Sequence, residues 1–293
     1  MDVLQVFSSL FSPLSRLAEL VRSRINPVRK QAMRILQVFE AHGIARTQVN
    51  RLLPKELQLQ PFELSDADEL KKAFKQEHIT WLIGHFALNA AWLEGSSDEA
   101  NQQINSYKHP LELHQWLLRH KRPDQENYNF RLHLITADNH SISPKSNGYF
   151  AVILEELFGD DEHHQSRFYH LSQGAHFDHA PCLLHLMQIL AIAHHHGFMM
   201  RRAILPLTNL RQLSLNQGLI AHWLDKTMPH PLEADHEFWG HFSGDSPWLE
   251  ELRQDAETSL TQAGMTDVVA TIQCDRHRFA RPSTVAALTQ VEQ

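Results

Sequence analysis

Apolar positions between residues 27 and 95 recur at helical spacing. Pro27 opens one helix, Met33, Ile35, Leu36 and Phe39 supply its apolar face, and Gly43 stops it. A shorter run over 44–53 sets Ile44, Val49, Leu52 and Leu53 against Arg46, Thr47, Gln48, Asn50 and Arg51, and Pro54 ends it. Ser65, with Asp68 three residues on, predicts a capped helix through about residue 75. Another helix is expected over about 77–86, and Asn89 caps a last turn that ends at Gly95. Ahead of these, Val3, Phe7, Leu10, Leu14, Leu17 and Val21 alternate steps of four and three, a heptad seam. Ser12 and Pro13 start its firm helix at about 13–24, an amphipathic segment that either packs on its own chain or joins two chains.

Residues 96–106 are polar and aperiodic, which marks a domain boundary. Beyond a helix near 110–120 the period falls to two. The segment Phe130–Thr136 alternates as a half-buried strand, and 149–154 and 167–171 read as two more. Residues 181–196 form a broad apolar helix stopped by Gly197. A strand at 198–205, a helix from about Thr208 and a helix over 247–263 follow, and the final dozen residues look loose. Strands in hairpins with a few helices indicate an α+β domain with a small, mostly antiparallel sheet. The expected fold class is therefore α+β multidomain. Its parts are an N-terminal amphipathic helix (1–24), an all-α bundle (25–97), an α+β sensor or dimerisation domain (107–225) and a C-terminal helical extension (226–293).

Composition adds limits. A hydrophobic content of 42% with 15 Phe and six Trp supplies ordinary cores. Two cysteines, Cys182 and Cys274, make no disulfide framework and suit a reducing compartment. No apolar run approaches the ~20 residues that span a bilayer. Asp2 stands where a signal peptide carries positive charge, so a cytoplasmic protein with no membrane partner is expected. Charge changes the picture most. Arg22, Arg24, Arg29, Lys30, Arg34, Arg46 and Arg51 enclose a single acid, Glu40, so the block carries +6 in a chain of net −7. Such a block is an electrostatic footprint for a polyanion. The 22 histidines, titrating near an unperturbed pKa of about 6.5, would move the net charge toward positive on mild acidification.

The segment Arg34-Ile-Leu-Gln-Val-Phe-Glu-Ala-His-Gly-Ile-Ala-Arg-Thr-Gln-Val-Asn-Arg-Leu-Leu53 resembles helices one and two of a lambda-repressor-like (XRE-type) helix-turn-helix DNA-binding domain. The ending Trp81-Leu-Ile-Gly-His-Phe-Ala-Leu-Asn-Ala-Ala-Trp-Leu-Glu-Gly95 is similar to that family's last helix and closing turn. The resemblance implies a helix-turn-helix-like bundle, binding of double-stranded DNA and a homodimer. Arg29, Lys30, Arg34, Arg46 and Arg51 would then neutralise phosphates, with Thr47, Gln48 and Asn50 as base-edge or positioning contacts. Where the family places its recognition helix, this chain has Pro54-Lys-Glu-Leu-Gln-Leu-Gln-Pro61, followed by Glu63, Asp66, Asp68 and Glu69.

His176, His179, Cys182 and His185 stand at three-residue intervals and are candidate zinc ligands, against the plainer reading of Cys182 and His185 as packed helix residues. In the run His194-His195-His196, adjacent helical side chains point about 100° apart, and a helix C-terminus favours cationic histidine in any case. The segment His236 to His241 is one residue too long for the H-E-x-x-H motif, and no nucleophile elbow or phosphate loop occurs, so no catalytic residue is assigned and no enzyme is expected. Glu155 and Glu156 are adjacent on a strand and should face opposite sides. Tyr149, Phe168, Tyr169, Phe177 and Trp223 are core residues or a ligand pocket. The expected function is a DNA-binding transcriptional regulator whose C-terminal domain receives a signal or dimerises. No cofactor is expected beyond an unidentified small-molecule effector. The alternatives are a scaffold that keeps the bundle without DNA, and a zinc-containing protein.

Overall fold

A computed structural model describes residues 26–120, 129–138, 148–159, 165–230, 238–239 and 247–275. The expected helix at 13–24, Arg22, Arg24, His236, His241 and the loose final residues lie outside them. The chain divides into two compact units at Ala100/Asn101.

In the first unit, helix α1 (Pro27–Ala41) begins where the Asn26 side chain accepts from the Arg29 N–H at 3.0 Å and Pro27 occupies a position that needs no N–H. It ends before Gly43, whose φ of 69° favours glycine. Its buried face, Ala32, Ile35, Leu36, Val38 and Phe39, packs on α3 (Ala67–Ala73) and α5 (Ala90–Glu94). Phe39 meets Phe86 of α4 (Gln76–Phe86) edge to face, with ring centroids 6.1 Å apart. Asp66, not Ser65, caps α3, because its carboxylate accepts from the N–H groups of Asp68 and Glu69. The 44–53 run is not one helix. It holds a 3-10 turn at Arg46–Gln48 and the four-residue α2 (Val49–Leu52). Further 3-10 turns at Lys55–Leu57 and Pro61–Leu64 fill the stretch before α3.

The second unit is built on a five-stranded mixed sheet, ordered β3-β2-β1-β4-β5. Its strands are β1 (Phe130–Thr136), β2 (Ala151–Phe158), β3 (Gln165–His170), β4 (Met199–Ile204) and the two-residue β5 (Met228–Pro229). β1 to β3 form an antiparallel meander. Three of the four pairings are antiparallel, in keeping with the expected mostly antiparallel sheet; the exception is at the centre, where β4 lies parallel to β1. That pairing requires a crossover, supplied by helix α7 (Ala180–His195). Leu186, Met187, Ile189, Leu190, Ala191 and Ile192 are all fully buried, because α7 is covered by β4, α6 (Pro110–His120), α10 (Pro247–Gln262) and α11 (Thr266–Asp275). Helices α10 and α11 thus belong to the same compact unit as the sheet. Trp116 of α6 reaches Phe130 and Tyr169 on one sheet face. By register the other face carries Ile153 and His170, and there α8 (Leu207–Ser214) and α9 (Ile220–Leu224) pack. Among the described residues, no helix is long and apolar enough to cross a membrane.

Candidate functional site

Strand alternation sends Arg131, His133 and Ile135 of β1 to one face. Register places Glu155 of β2 opposite Arg131, and Arg201 of β4 opposite His133. Helices α8 and α9 pack on the β2–β3 side of this face, and on its β4 side Met199 and Arg201 are exposed. Here a carboxylate is buried between the covered β2–β3 part of the face and the exposed residues of β4. Glu155 retains 8% exposure; its Oε2 accepts from His133 Nε2 at 2.8 Å and its Oε1 from the Ser166 hydroxyl at 2.7 Å. Arg131 Nη1 stands 3.9 Å from the same carboxylate. Burial alone would raise the Glu155 pKa. The hydrogen bonds from His133 and Ser166, with the charges of His133 and Arg131, outweigh it and hold the group ionised below the usual carboxylate range. An ionised carboxylate only accepts, so Nε2 of His133 carries a proton and Nδ1 is left for another partner.

Glu156 faces the other way. Arg167 grips it with two hydrogen bonds of 2.7 and 2.6 Å, and the Tyr169 hydroxyl adds a third at 3.2 Å. Burial and the Glu156 charge push the Tyr169 phenol up. This is a closed structural pair, whereas the Glu155 network is flanked by two arginines that reach solvent.

The residues expected to contact DNA do not form one surface. Arg29 is buried, its Nε 3.1 Å from Asp68 and its Nη1 3.2 Å from the Met33 sulfur, so it joins α1 to α3. Arg34 is buried with its guanidinium 4.9 Å from the centre of the Trp92 ring, and burial lowers its pKa against the raising effect of Asp98. Phosphate contact by these two is corrected to a packing role. Asn50 holds Leu59 at both backbone groups, accepting from its N–H at 2.9 Å and donating to its carbonyl at 2.5 Å. That restrains the turn after α2 and occupies the side chain proposed for base contact. Arg46 donates to the Ser65 carbonyl and pairs with Glu40 at 3.1 Å. Thr47, Gln48 and Arg51 are exposed and Lys30 is half-buried. Over 26–100 the chain has nine Lys and Arg against ten Asp and Glu, so the described part of this unit carries no positive excess.

The candidate zinc ligands are likewise dispersed. His185 is buried and its Nε2 meets the Ser106 hydroxyl at 2.8 Å, while burial depresses its pKa to about 4. His176 lies 3.6 Å from Asp178, and His179 is 3.4 Å from the Tyr107 hydroxyl. Among the described residues, no group of three or more His, Cys, Asp or Glu is placed to hold a metal ion. His194, His195 and His196 reach different partners. His194 meets Asp275 at 3.3 Å, His195 meets Thr271 at 2.8 Å and Asp267 at 3.4 Å, and His196 meets His114 at 3.1 Å. The first two tie α11 to the end of α7. Phe168 and Tyr169 point to opposite faces of β3, so the five aromatic residues line no common pocket on the sheet.

Arg131, His133, Ser166 and Arg201 were not singled out by sequence reasoning. The signal is the two-residue step from Arg131 to His133 in β1, which acquires meaning only when β2 and β4 are laid beside it. The chain matches no protein-family model, no curated protein and no solved structure.

Proposed function

We propose that the protein is a ligand-responsive interaction protein. The α+β unit takes a small polar ligand on the face formed by Arg131, His133, Glu155, Ser166 and Arg201, and the helical unit supplies contact with a macromolecular partner. One observation carries this reading: Glu155, buried and ionised, is held by His133 and Ser166 with Arg131 3.9 Å away, on a face whose β4 side exposes Arg201. A buried ionic network is weak as a source of stability, because desolvation offsets most of its attraction. A perturbed carboxylate beside an arginine at the border of an exposed strand points instead to a binding site. A thermal-shift screen of the whole chain against neutral and charged polar metabolites tests it. A ligand present at 100 times its Kd stabilises the folded state by about 2.7 kcal/mol. Wild type should show such a rise and Arg131→Ala should lose it. A screen without any stabilising compound refutes the reading.

A second reading, transcriptional regulation through double-stranded DNA, is favoured by the joint exposure of Thr47, Gln48 and Arg51. With Arg29 and Arg34 packed inside and Arg46 paired, Lys30 and Arg51 remain of the five proposed phosphate contacts. Log affinity should then fall against log salt with a slope of about −2 for one chain and about −4 for a homodimer. No gel shift with genomic fragments at low salt disposes of it.

A further inference from the structure

The position of Arg201 says more about the ligand than the Glu155 network does. β4 runs parallel to β1 with Arg201 opposite His133 and Met199 opposite Arg131. Arg131 and Arg201 are therefore one strand and two residues apart, roughly 8 Å between their attachment points, from strand spacing of about 4.8 Å and a rise of about 3.3 Å per residue. Two arginine side chains rooted that far apart can bring their guanidinium groups to a common anion. Arg201 is exposed, and among the described residues its side chain has neither an ion pair nor a hydrogen bond. Among the described residues the face holds Arg131, Arg201 and His133 against one acid, Glu155, whose oxygens are already occupied by His133 and Ser166. Its balance is positive whichever state the imidazole adopts.

We infer that this face binds a phosphoryl group, held between Arg131, Arg201 and the Nδ1 side of His133. A carboxylate offers two oxygens in one plane, whereas a phosphoryl group offers three. Two arginine forks rooted on separate strands, with His133 Nδ1 as a third donor when the ring carries both protons, match the latter, and the planar fork suits phosphate oxygens in pairs. Met199, half exposed beside Arg131, gives an organic substituent an apolar wall. Glu155 orients the imidazole through Nε2, which fixes the ring and leaves Nδ1 for the ligand. The ligand class is thus a phosphomonoester or free phosphate, which share this chemistry. The inference names the ligand for the role proposed above and rests on that reading.

The test is calorimetric titration of the full chain with phenyl phosphate, inorganic phosphate and benzoate. Phenyl phosphate should bind at least about tenfold more tightly than benzoate. If it also exceeds inorganic phosphate, an ester is the ligand; equal affinity for the two identifies free phosphate. Arg201→Ala removes one charge-assisted contact and should weaken phenyl phosphate binding by about 10- to 100-fold. Its urea midpoint should stay unchanged, since Arg201 is exposed and its side chain joins none of the described residues by an ion pair or hydrogen bond. Arg201→Lys should recover part of the loss, and Arg119→Ala, on α6, should keep wild-type binding. Equal affinity of wild type and Arg201→Ala, or benzoate binding as tightly as phenyl phosphate, overturns the inference. If a neutral metabolite stabilises the chain while phenyl phosphate at about 10 mM does not bind, the phosphoryl assignment falls and the ligand-responsive reading stands. If nothing binds, both fall.

Discussion

His170 makes the acid response of the α+β unit calculable. The ring is buried in β3, with Nε2 donating to the Leu213 carbonyl at 3.0 Å and Nδ1 accepting from the Ser172 N–H at 3.2 Å. The Ser172 contact needs the neutral imidazole, and burial depresses the pKa to about 4 against the raising effect of the bond to Leu213. The unfolded chain titrates near 6.5, so below that pH it binds a proton that the folded chain refuses. Stability is full above about pH 6.5, declines as pH falls toward 4, and levels off below it. A gap of about 2.5 pH units is worth about 3 kcal/mol. His185, also depressed to about 4 by burial, adds a similar amount in the same window and the same unit. Together they approach the 5–15 kcal/mol that holds a typical domain folded. His170→Gln isolates one share: its amide still donates toward Leu213 but does not titrate. The variant should lose about 1–2 kcal/mol at pH 7 through the poorer partner for Ser172. The difference should then swing by about 3 kcal/mol between pH 7 and pH 4, leaving the variant the more stable of the two at pH 4. Urea unfolding followed by circular dichroism, with hydrogen exchange of the β2 and β3 amides, reads this directly. Parallel pH profiles for the two proteins would refute the reasoning.

Two further substitutions separate packing from surface roles. Arg34→Ala removes the cation over Trp92 and the stem packed in α1, and should cost about 1–3 kcal/mol in urea melts. A purely DNA-facing arginine would change stability by less than about 0.5 kcal/mol. Glu156→Gln leaves the half-buried Arg167 without its counter-ion and should cost about 2–3 kcal/mol. A cost below about 1 kcal/mol would mean that the pair is not closed as described.

The opposite facing of Glu155 and Glu156 follows from strand geometry, yet two carboxylates in a row also look like the end of a strand. The 149–154 expectation stops short of them, and β2 instead runs through Phe158. Neighbouring strands override that local pattern: β1 offers His133 to one carboxylate and β3 offers Arg167 to the other. The basic block shows the same limit from the other side. Seven bases around a single acid look like a polyanion surface until Asp68, 39 residues from Arg29, and Trp92, far along the chain from Arg34, draw two of them inward.

What the sequence settles by itself is local. Asn26 and Pro27, Asn89 and Gly95, and Gly43 and Gly197 mark helix ends, because caps and left-handed stops depend on residues within one turn. The apolar run of α7 announces a helix buried on all sides for the same reason, since composition alone carries it. Register and partner choice depend on contacts between residues distant in the chain. Only the tertiary structure pairs β1 with β4 in parallel, and with that pairing brings Arg131, His133 and Arg201 onto one face around Glu155. A one-residue slip would send each of them to the opposite side, and no local pattern forbids that slip.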